Sequence, residues 1–423
     1  MKEIKASTVR RRYARLPLAL ALGAMVLSPA LMGGVSEAEA NVGTKGETSI
    51  SITGNARIMG FWTENDDFND DVEDVKRGLR HRLRLMLDGT LAGGTSFHSR
   101  LNITGWDNWN GASPGAGSLT TDWLYFKVPL ASDLTVVAGR QKINYGHKFR
   151  VWDGRSDRLT FVKKMNDELS LLAFYAKEAE TDAAATASDV LEDGDDENLY
   201  AIGGEYKGKP LSGGFRIMHY DEQWSGGDNG QRLSGYLTHK SGDLTTKFEA
   251  DFSMGDRWKN NDGDNRYGLL LDFDYKMGDT TLSAGVAAAM NGYVVDNDFD
   301  AITAFYDTGA GHGLAYARMG QVAETADSTG TITSADMESE YAAGIGVSHK
   351  MSPKVKLAAN LAYITAETIT GGDADGVVLD GQMGYKINGS TTYYINGIYA
   401  SPNDVTAQDD AYWGLSHRFE IKF

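Results

Sequence analysis

Apolar and polar residues alternate over much of the chain, and this two-residue period is the feature that most restricts its fold. In the segment 244–253, Phe248 and Phe252 belong to one row, whereas Glu249 and Asp251 belong to the other. Because successive side chains of a strand point to opposite faces, the pattern predicts strands with one apolar and one polar face. A soluble sandwich would bury the apolar face, whereas a transmembrane barrel would turn it to lipid. The alternation alone leaves both folds open.

The lengths of the connections favour the barrel. Eight short turns are predicted at 91–94, 130–133, 164–167, 207–210, 240–243, 276–279, 350–353 and 388–390. Nine longer, more acidic connections alternate with them at 62–77, 107–119, 142–157, 178–197, 221–230, 254–264, 291–338, 367–376 and 401–410. Short turns on one side and long loops on the other are typical of transmembrane barrels. We therefore predict an all-β, antiparallel up-and-down transmembrane barrel of 18 strands, with 16 as the alternative if a pair such as 158–164 and 168–177 is misread.

The C-terminal segment 413–423 alternates in the same way and ends in an aromatic residue, Phe423. Such an ending is typical of the last strand of a bacterial outer-membrane barrel. We expect this strand to close the wall by pairing with residues 47–61 and to be the part recognised by the barrel-assembly machinery.

The N-terminal segment has the features of a cleaved secretory signal peptide. Basic residues are concentrated in 1–15, a mostly apolar run follows at 16–32, and Ala38-Glu39-Ala40 forms a small-x-small cleavage site. No later stretch is apolar for the roughly 20 residues that a membrane helix needs. We therefore predict a signal peptide at 1–40, a single barrel domain at 41–423 and a location in the outer membrane.

The composition excludes several functional classes. The chain contains no Cys, so thiol catalysis and thiolate metal sites are ruled out, and its formal net charge of −17 argues against nucleic acid as a partner. The eight His residues are not spaced as in zinc sites. The segment Gly111-Ala-Ser113-Pro-Gly115 fits a hydrolase pattern, but it lies in a Gly-rich loop rather than between a strand and a helix. We predict no enzymatic activity, no cofactor and no metal.

The polar rows, if they face the lumen, give it two charged arcs. The basic arc comprises Arg80, Arg82, Arg84, Arg100 and Arg140, and the acidic arc comprises Glu249, Asp251, Asp272 and Asp274. Opposed arcs would set a transverse field across a water-filled pore, which orients dipolar solutes and biases ion selection. The alternative is that these charges only hydrate the pore or pair with one another.

The whole mature chain resembles Gram-negative outer-membrane porins of 16–18 strands. The pattern Gly139-Arg-Gln141, Tyr145-Gly146 and Asp153-Gly-Arg155 is also loosely similar to substrate-specific and alginate-export-type barrels. In such porins the third outer loop commonly folds into the barrel, and residues 142–157 occupy that position here. The resemblance implies that the basic residues of this loop face the acidic arc across a constriction. These residues are Lys142, Lys148, Arg150 and Arg155. An exposed basic loop is the alternative.

The function predicted from these features is passive diffusion of ions and small hydrophilic solutes through the outer membrane. One alternative is a substrate-selective channel. Another is a barrel that sheathes a partner complex, such as an electron conduit, and a third is a receptor or adhesin that uses the loop 291–338. The expected partners are membrane lipid, lipopolysaccharide and the solutes themselves, and the resemblance leaves a homotrimer open as the assembly.

Overall fold

The computed structural model describes residues 40–45, 48–64, 75–108, 119–147, 149–179, 197–222, 229–258, 265–293, 337–368, 373–403 and 411–423. The predicted signal peptide up to residue 39, the motif at 111–115, Lys148 and most of the segment 291–338 lie outside these residues. Cleavage after Ala40 and the domain limits therefore stay predictions.

The described residues form nineteen β-strands and one short 3-10 helix at Asp256–Trp258. The strands are β1 (Ala40–Lys45), β2 (Thr48–Glu64), β3 (Lys76–Thr90), β4 (Ser96–Asn108), β5 (Thr120–Ala131), β6 (Leu134–Tyr145), β7 (Val151–Lys164), β8 (Leu169–Ala179), β9 (Glu197–Lys207), β10 (Leu211–Glu222), β11 (Gly230–Ser241), β12 (Leu244–Met254), β13 (Arg266–Met277), β14 (Thr280–Met290), β15 (Met337–Lys350), β16 (Val355–Thr368), β17 (Asp373–Lys386), β18 (Thr391–Asn403) and β19 (Tyr412–Lys422). Within the same residues, no helix has the length and apolar character needed to cross a membrane.

Strands β2 to β19 form a closed antiparallel barrel of eighteen strands, which confirms the predicted fold. Each strand pairs with its neighbour in the chain, and β19 returns to β2 with Trp413 opposite Glu64 and Lys422 opposite Asn55. The segments whose omission would have left sixteen strands form β7 and β8. The prediction that β19 pairs with residues 47–61 is wrong for the first part of this range. There the start of β2 pairs with the short strand β1 instead.

The C-terminal residue completes the closure against Gly54. The backbone N–H of Gly54 donates to the carbonyl oxygen of Phe423 at 2.6 Å, and the N–H of Phe423 donates to the carbonyl oxygen of Gly54 at 3.1 Å. A Cβ atom at position 54 would lie 2.3 Å from the ring of Phe423, so the aromatic ring packs directly over the glycine.

Burial shows which row of each strand faces the interior. On β12, Glu249 and Asp251 are buried, whereas Phe248, which directly precedes Glu249, is 40% exposed. The outer surface carries many large apolar side chains, among them Ile202 at 58% and Ile345 at 61% exposure. This arrangement is the reverse of a soluble core and corresponds to a barrel with an apolar outside and a polar lumen.

The connections alternate between short and long as predicted, with two exceptions. The connection predicted at 367–376 has only four residues, because β16 ends at Thr368 and β17 begins at Asp373. The third long connection, expected at 142–157, is reduced to residues 146–150, because β6 extends to Tyr145 and β7 begins at Val151. Residues on the two sides of the connection pair with each other, as Lys142 does with Arg155, and so satisfy their own backbone groups. The sequence does not predict strands here, because charged residues occupy both rows and the alternation of apolar and polar residues is lost.

An apolar cluster lies inside the barrel rather than between layers of secondary structure. Leu270, which interrupts the polar row of β13, is 1% exposed because it belongs to this cluster. The cluster comprises Phe149, Leu270, Ala287, Ala289, Tyr293, Ala342, Ala362, Ile364, Val378, Ile398, Ala400 and Tyr412. The interior of β13 to β19 therefore contains an apolar patch beside its buried polar residues.

Candidate constriction inside the barrel

The outer part of the β6–β7 pair leaves the wall. Pairing of β6 with β5 ends at Arg140, opposite Leu124, and pairing of β7 with β8 ends at Asp157, opposite Lys177. Beyond these points the two strands pair only with each other. We call the segment from Gln141 to Ser156 the inward hairpin, because its tip contacts lumen-facing residues of β10 to β13.

A glycine allows β6 to bend at this point. Gly139 has a φ of +115°, a conformation that side chains with a Cβ rarely adopt. A Cβ at this position would lie 2.4 Å from the carbonyl oxygen of Leu124 on β5. The close approach and the positive φ both require glycine, and the inward hairpin begins two residues later.

The tip of the inward hairpin is bound by one buried carboxylate. Glu249 of β12 is 0% exposed and accepts hydrogen bonds from the backbone N–H groups of His147 and Arg150, the latter at 3.1 Å. The imidazole Nε2 of His147 also lies 2.9 Å from the carbonyl oxygen of Leu237 on β11. Gly146 precedes the tip with a φ of +65°, and a Cβ there would lie 2.2 Å from Glu249 Oε2.

Arg150 adds an ion pair to these backbone contacts. Its Nε lies 3.3 Å from Oδ1 of Asp251, whose side chain is 0% exposed, and its Nη2 lies 3.3 Å from the hydroxyl oxygen of Tyr220. Ser234 of β11 donates to the same Asp251 carboxylate. A buried cation and a buried anion thus compensate each other, as buried charges in proteins require.

Phe149 anchors the tip in the apolar cluster. Its ring is 0% exposed and stacks on Tyr293 with centroids 5.5 Å apart. Full burial of a Phe side chain contributes about 1.5–3 kcal/mol. The tip therefore combines apolar burial with charge-assisted hydrogen bonds.

The other two members of the acidic arc have a partner of their own. The Nζ of Lys247 lies 2.8 Å from Oδ2 of Asp272 and 2.8 Å from Oδ2 of Asp274. Lys247 and Asp272 are opposite each other in the register of β12 and β13. All four acidic residues of the predicted arc are therefore engaged by groups of β12 or of the inward hairpin.

The base of the inward hairpin is tied to β5. Asp122 accepts from Arg155 through Nε at 2.6 Å and through Nη2 at 3.1 Å, and it also pairs with Arg100 of β4. The guanidinium of Arg100 lies 3.6 Å from the ring centroid of Trp123, and the Nζ of Lys142 lies 5.8 Å from the same centroid.

The basic residues of β3 lie on the face of that strand that lines the lumen. Arg82 is 7% exposed, Arg84 donates from Nε to Oδ1 of Asn102 at 2.9 Å, and Arg80 lies over the ring of Phe61 at 4.9 Å. In the register of the sheet, Arg82 is opposite Arg57 of β2.

The structure brings Arg150, Glu249 and Asp251 into contact, and it gathers Arg100, Lys142 and Arg155 around Trp123. It places Arg140 elsewhere. Arg140 shares the outward face of Leu124, is half-exposed and pairs with Asp157 at 3.2 Å. Lys148 lies outside the described residues.

Several groups that hold the site together could not be predicted from the sequence. Lys247 stood in the predicted polar row, but its two partners depend on the register between strands. Asp122 could not be placed because a register shift between β4 and β5 interrupts the alternation there. Tyr220 and Tyr293 gave no signal beyond ordinary strand propensity.

His147 is the titratable group of the hairpin tip. Burial lowers the pKa of its imidazole below the ordinary value of 6.5, and the hydrogen bond to the Leu237 carbonyl opposes this effect. The side chain is therefore neutral at pH 7. No group of three or more His, Asp or Glu among the described residues is arranged to hold a metal ion.

The barrel is similar to solved structures from Pseudomonas aeruginosa. OpdO is 10% identical with a TM-score of 0.59, and the alignment covers 88% of this chain and 97% of OpdO. The outer membrane protein OprD is 11% identical with a TM-score of 0.57, covering 88% and 93% of the two chains. The outer membrane protein OpdK is 12% identical with a TM-score of 0.55, covering 88% and 99%.

No family model and no curated protein matches the sequence. At these identities the likeness concerns the fold, which is the one shared by outer-membrane β-barrel proteins.

Proposed function

We propose that this protein is an outer-membrane channel through which ions and small hydrophilic solutes pass by passive diffusion. The observation that carries the proposal is the inward hairpin, which is fixed to β5 by Arg155 and to β12 by the contacts of Glu249. A polar lumen narrowed by a firmly held segment can select solutes by size and charge.

Three features support the outer membrane as the location. The outer surface is apolar, the N-terminal sequence predicts secretion, and the last strand ends in Phe423 packed against Gly54. Two of the structurally similar proteins are outer membrane proteins by name. The same proposal includes membrane lipid, lipopolysaccharide and the barrel-assembly machinery as partners. It leaves a homotrimer open as the assembly.

The contacts inside the barrel refine the expected selectivity. Glu249 and Asp251 hold the hairpin tip, and Asp272 and Asp274 are paired with Lys247, so these carboxylates are compensated locally. Arg80, Arg82 and Arg84 add three positive charges to the lumen-facing row of β3, on the opposite side of the lumen. We therefore expect a preference for anions over cations.

Conductance in planar bilayers tests the proposal. The purified protein should give discrete current steps, and in asymmetric potassium chloride the reversal potential should have the sign of an anion-preferring pore. A protein that inserts as a folded barrel, passes no current and co-purifies with a stable partner would instead support a sheath function.

A substrate-selective channel is the second candidate, and stacked arginines favour it. Arg216 lies 4.3 Å from the ring centroid of Tyr145, and Arg418 lies 4.9 Å from that of Tyr394. A guanidinium held over an aromatic ring is suited to paired hydrogen bonds with carboxylate or phosphate. Saturable block of the ion current by one anionic solute, but not by neutral solutes of equal size, would distinguish this candidate.

A further inference from the structure

The short-turn end of the barrel carries a repeated lysine position. Every strand that runs from the loop side to the turn side, from β7 to β19, has a lysine as its last or second-last residue. These residues are Lys164, Lys207, Lys240, Lys276, Lys350, Lys386 and Lys422. Seven such positions in succession are unexpected in a chain with a formal net charge of −17.

The seven lysines are structurally equivalent. The backbone N–H of each donates to a carbonyl oxygen at the preceding short turn, as Lys276 does to Asp243 at 3.0 Å and Lys350 to Asp279 at 2.9 Å. The other five make the same type of bond at 2.7–2.9 Å. The barrel therefore places a lysine at a fixed height on seven neighbouring hairpins.

The alternation of the strands directs these side chains to the inside of the mouth. Lys276 continues the inward row of Asp272 and Asp274, and Lys422 continues that of Arg418 and Glu420. We call the seven residues the lysine collar.

One sector of the lysine collar forms a recess of concentrated positive charge. Lys276, Lys350 and Lys386 of the collar line it together with Lys354 and Lys356. Lys350 and Lys356 are directly opposite each other in the register of β15 and β16. Like charges in this position repel each other and are destabilising.

The charge of this recess is poorly compensated by the protein. Asp279 is the one carboxylate among the residues that line it, and no ion pair involves its five lysines within the described part of the chain. Elsewhere on the lysine collar, by contrast, Lys164 pairs with Asp167 at 3.2 Å and Lys422 with Glu420 at 3.6 Å.

We propose that this lysine recess binds small solutes that carry two or more negative charges, such as phosphate esters and oligocarboxylates. Lysine ammonium groups are mobile point charges with three donors each, which suits multivalent oxyanions of varied shape. Gln382, Thr392 and Tyr394 line the same recess and supply neutral polar groups. The recess lies inside the mouth, so a compact solute fits it better than a folded macromolecule does.

The binding site follows from the geometry of the barrel, whereas its role in transport rests on the proposed function. If the protein is a channel, the recess holds an anion where it enters or leaves the turn side of the pore. Dense positive charge at a pore mouth raises the local concentration of anions and thereby their rate of entry.

Binding of inorganic pyrophosphate to the full-length protein in detergent tests the proposal. Calorimetry at low ionic strength should show binding, and Lys350→Gln/Lys356→Gln should weaken it by about tenfold, since two charge contacts are lost. The matched control is Lys163→Gln/Lys209→Gln, which removes two lysines from the same end of the barrel. Lys163 faces outward and pairs with Asp133, and Lys209 lies in a turn. The control should bind pyrophosphate like the wild type.

The outcomes separate the site from the function. If pyrophosphate does not bind, or if both variants weaken its binding equally, the lysine recess is not the anion-binding site, even if the protein conducts ions. If binding depends on Lys350 and Lys356 but the protein conducts no current, the anion-binding site is supported and the proposed channel function is wrong. Binding of long polyanions alone, without pyrophosphate, would contradict a site for small solutes.

Discussion

The acidic wall of the lumen, on β12 and β13, and the basic wall, on β3, follow the same alternating pattern but differ in what their side chains contact. On β12 and β13, each predicted carboxylate meets a partner that reaches it from a neighbouring strand or from the inward hairpin, as Asp251 meets Arg150. On β3, three arginines follow one another at every second position along the lumen. Glu249 and Asp251 of the acidic wall therefore bind the inward hairpin, whereas the basic wall carries a row of three positive charges along the lumen.

The largest effect is expected from removing the carboxylate that binds the tip. Glu249→Ala deletes the acceptor of two backbone hydrogen bonds, and each buried N–H group left without an acceptor costs about 1–3 kcal/mol. The tip should detach, so single-channel conductance should rise and the current should become noisy. Asp157→Ala removes an exposed carboxylate from the residue that follows the same hairpin and should leave both properties unchanged. Equal behaviour of the two variants would show that Glu249 does not hold the tip.

A smaller effect of the same kind is expected from Gly146→Ala. The added Cβ would meet Glu249 Oε2 at 2.2 Å, and the residue would have to keep a φ of +65°. Backbone strain of this type costs about 1–3 kcal/mol. Gly242→Ala is the matched control, because its φ is +59° but nothing lies within 4 Å of the added atom. Only the variant at 146 should change the conductance, and a change of equal size at 242 would argue against steric contact with Glu249.

Neutralising the base of the hairpin should change selectivity more than pore size. Lys142→Gln/Arg155→Gln removes two positive charges beside Trp123, so the reversal potential in asymmetric salt should move toward that of a cation-preferring pore. Arg140→Gln removes a charge from the outward face of the same strand and should shift the potential far less. If Arg140→Gln shifts it as much as the double variant, the inner location of Lys142 and Arg155 is not what matters.

The smallest effect is expected from pH. The docked hairpin lowers the pKa of His147 below 6.5, so the docked state binds fewer protons than a detached tip. Docking is therefore fully stable above pH 6.5 and is weakened as the pH falls below that value. Current noise should increase under acidic conditions in the wild type and much less in His147→Gln. An identical pH dependence in both proteins would assign the effect to another group.

The architecture of the wall could be predicted from sequence because it depends on local patterns. Alternation identified the strands, turn residues identified the short connections, and Phe423 identified the closing strand. The sense of the faces could not be read from alternation alone, and the exposure of Ile202 and Ile345 establishes it.

The interior contacts were harder to predict because they join distant parts of the chain. The departure of the inward hairpin depends on Gly139 and on where pairing with β5 stops, and neither leaves a distinctive sequence pattern. Arg140 was expected in the lumen but faces outward, since one position along a strand reverses the face. The link between Lys247 and Asp272 depends on the register of two strands.

The central claim is that the inward hairpin narrows the channel, and single-channel conductance of a shortened protein tests it most directly. Residues 142–155 would be replaced by an Asn-Gly turn, which can join the paired residues Gln141 and Ser156 as a tight hairpin. Heat-modifiable mobility in gels would show that the barrel still folds. If the inward hairpin narrows the channel, conductance should clearly increase and ion selectivity should weaken, whereas a folded barrel with unchanged conductance would contradict this role of the hairpin.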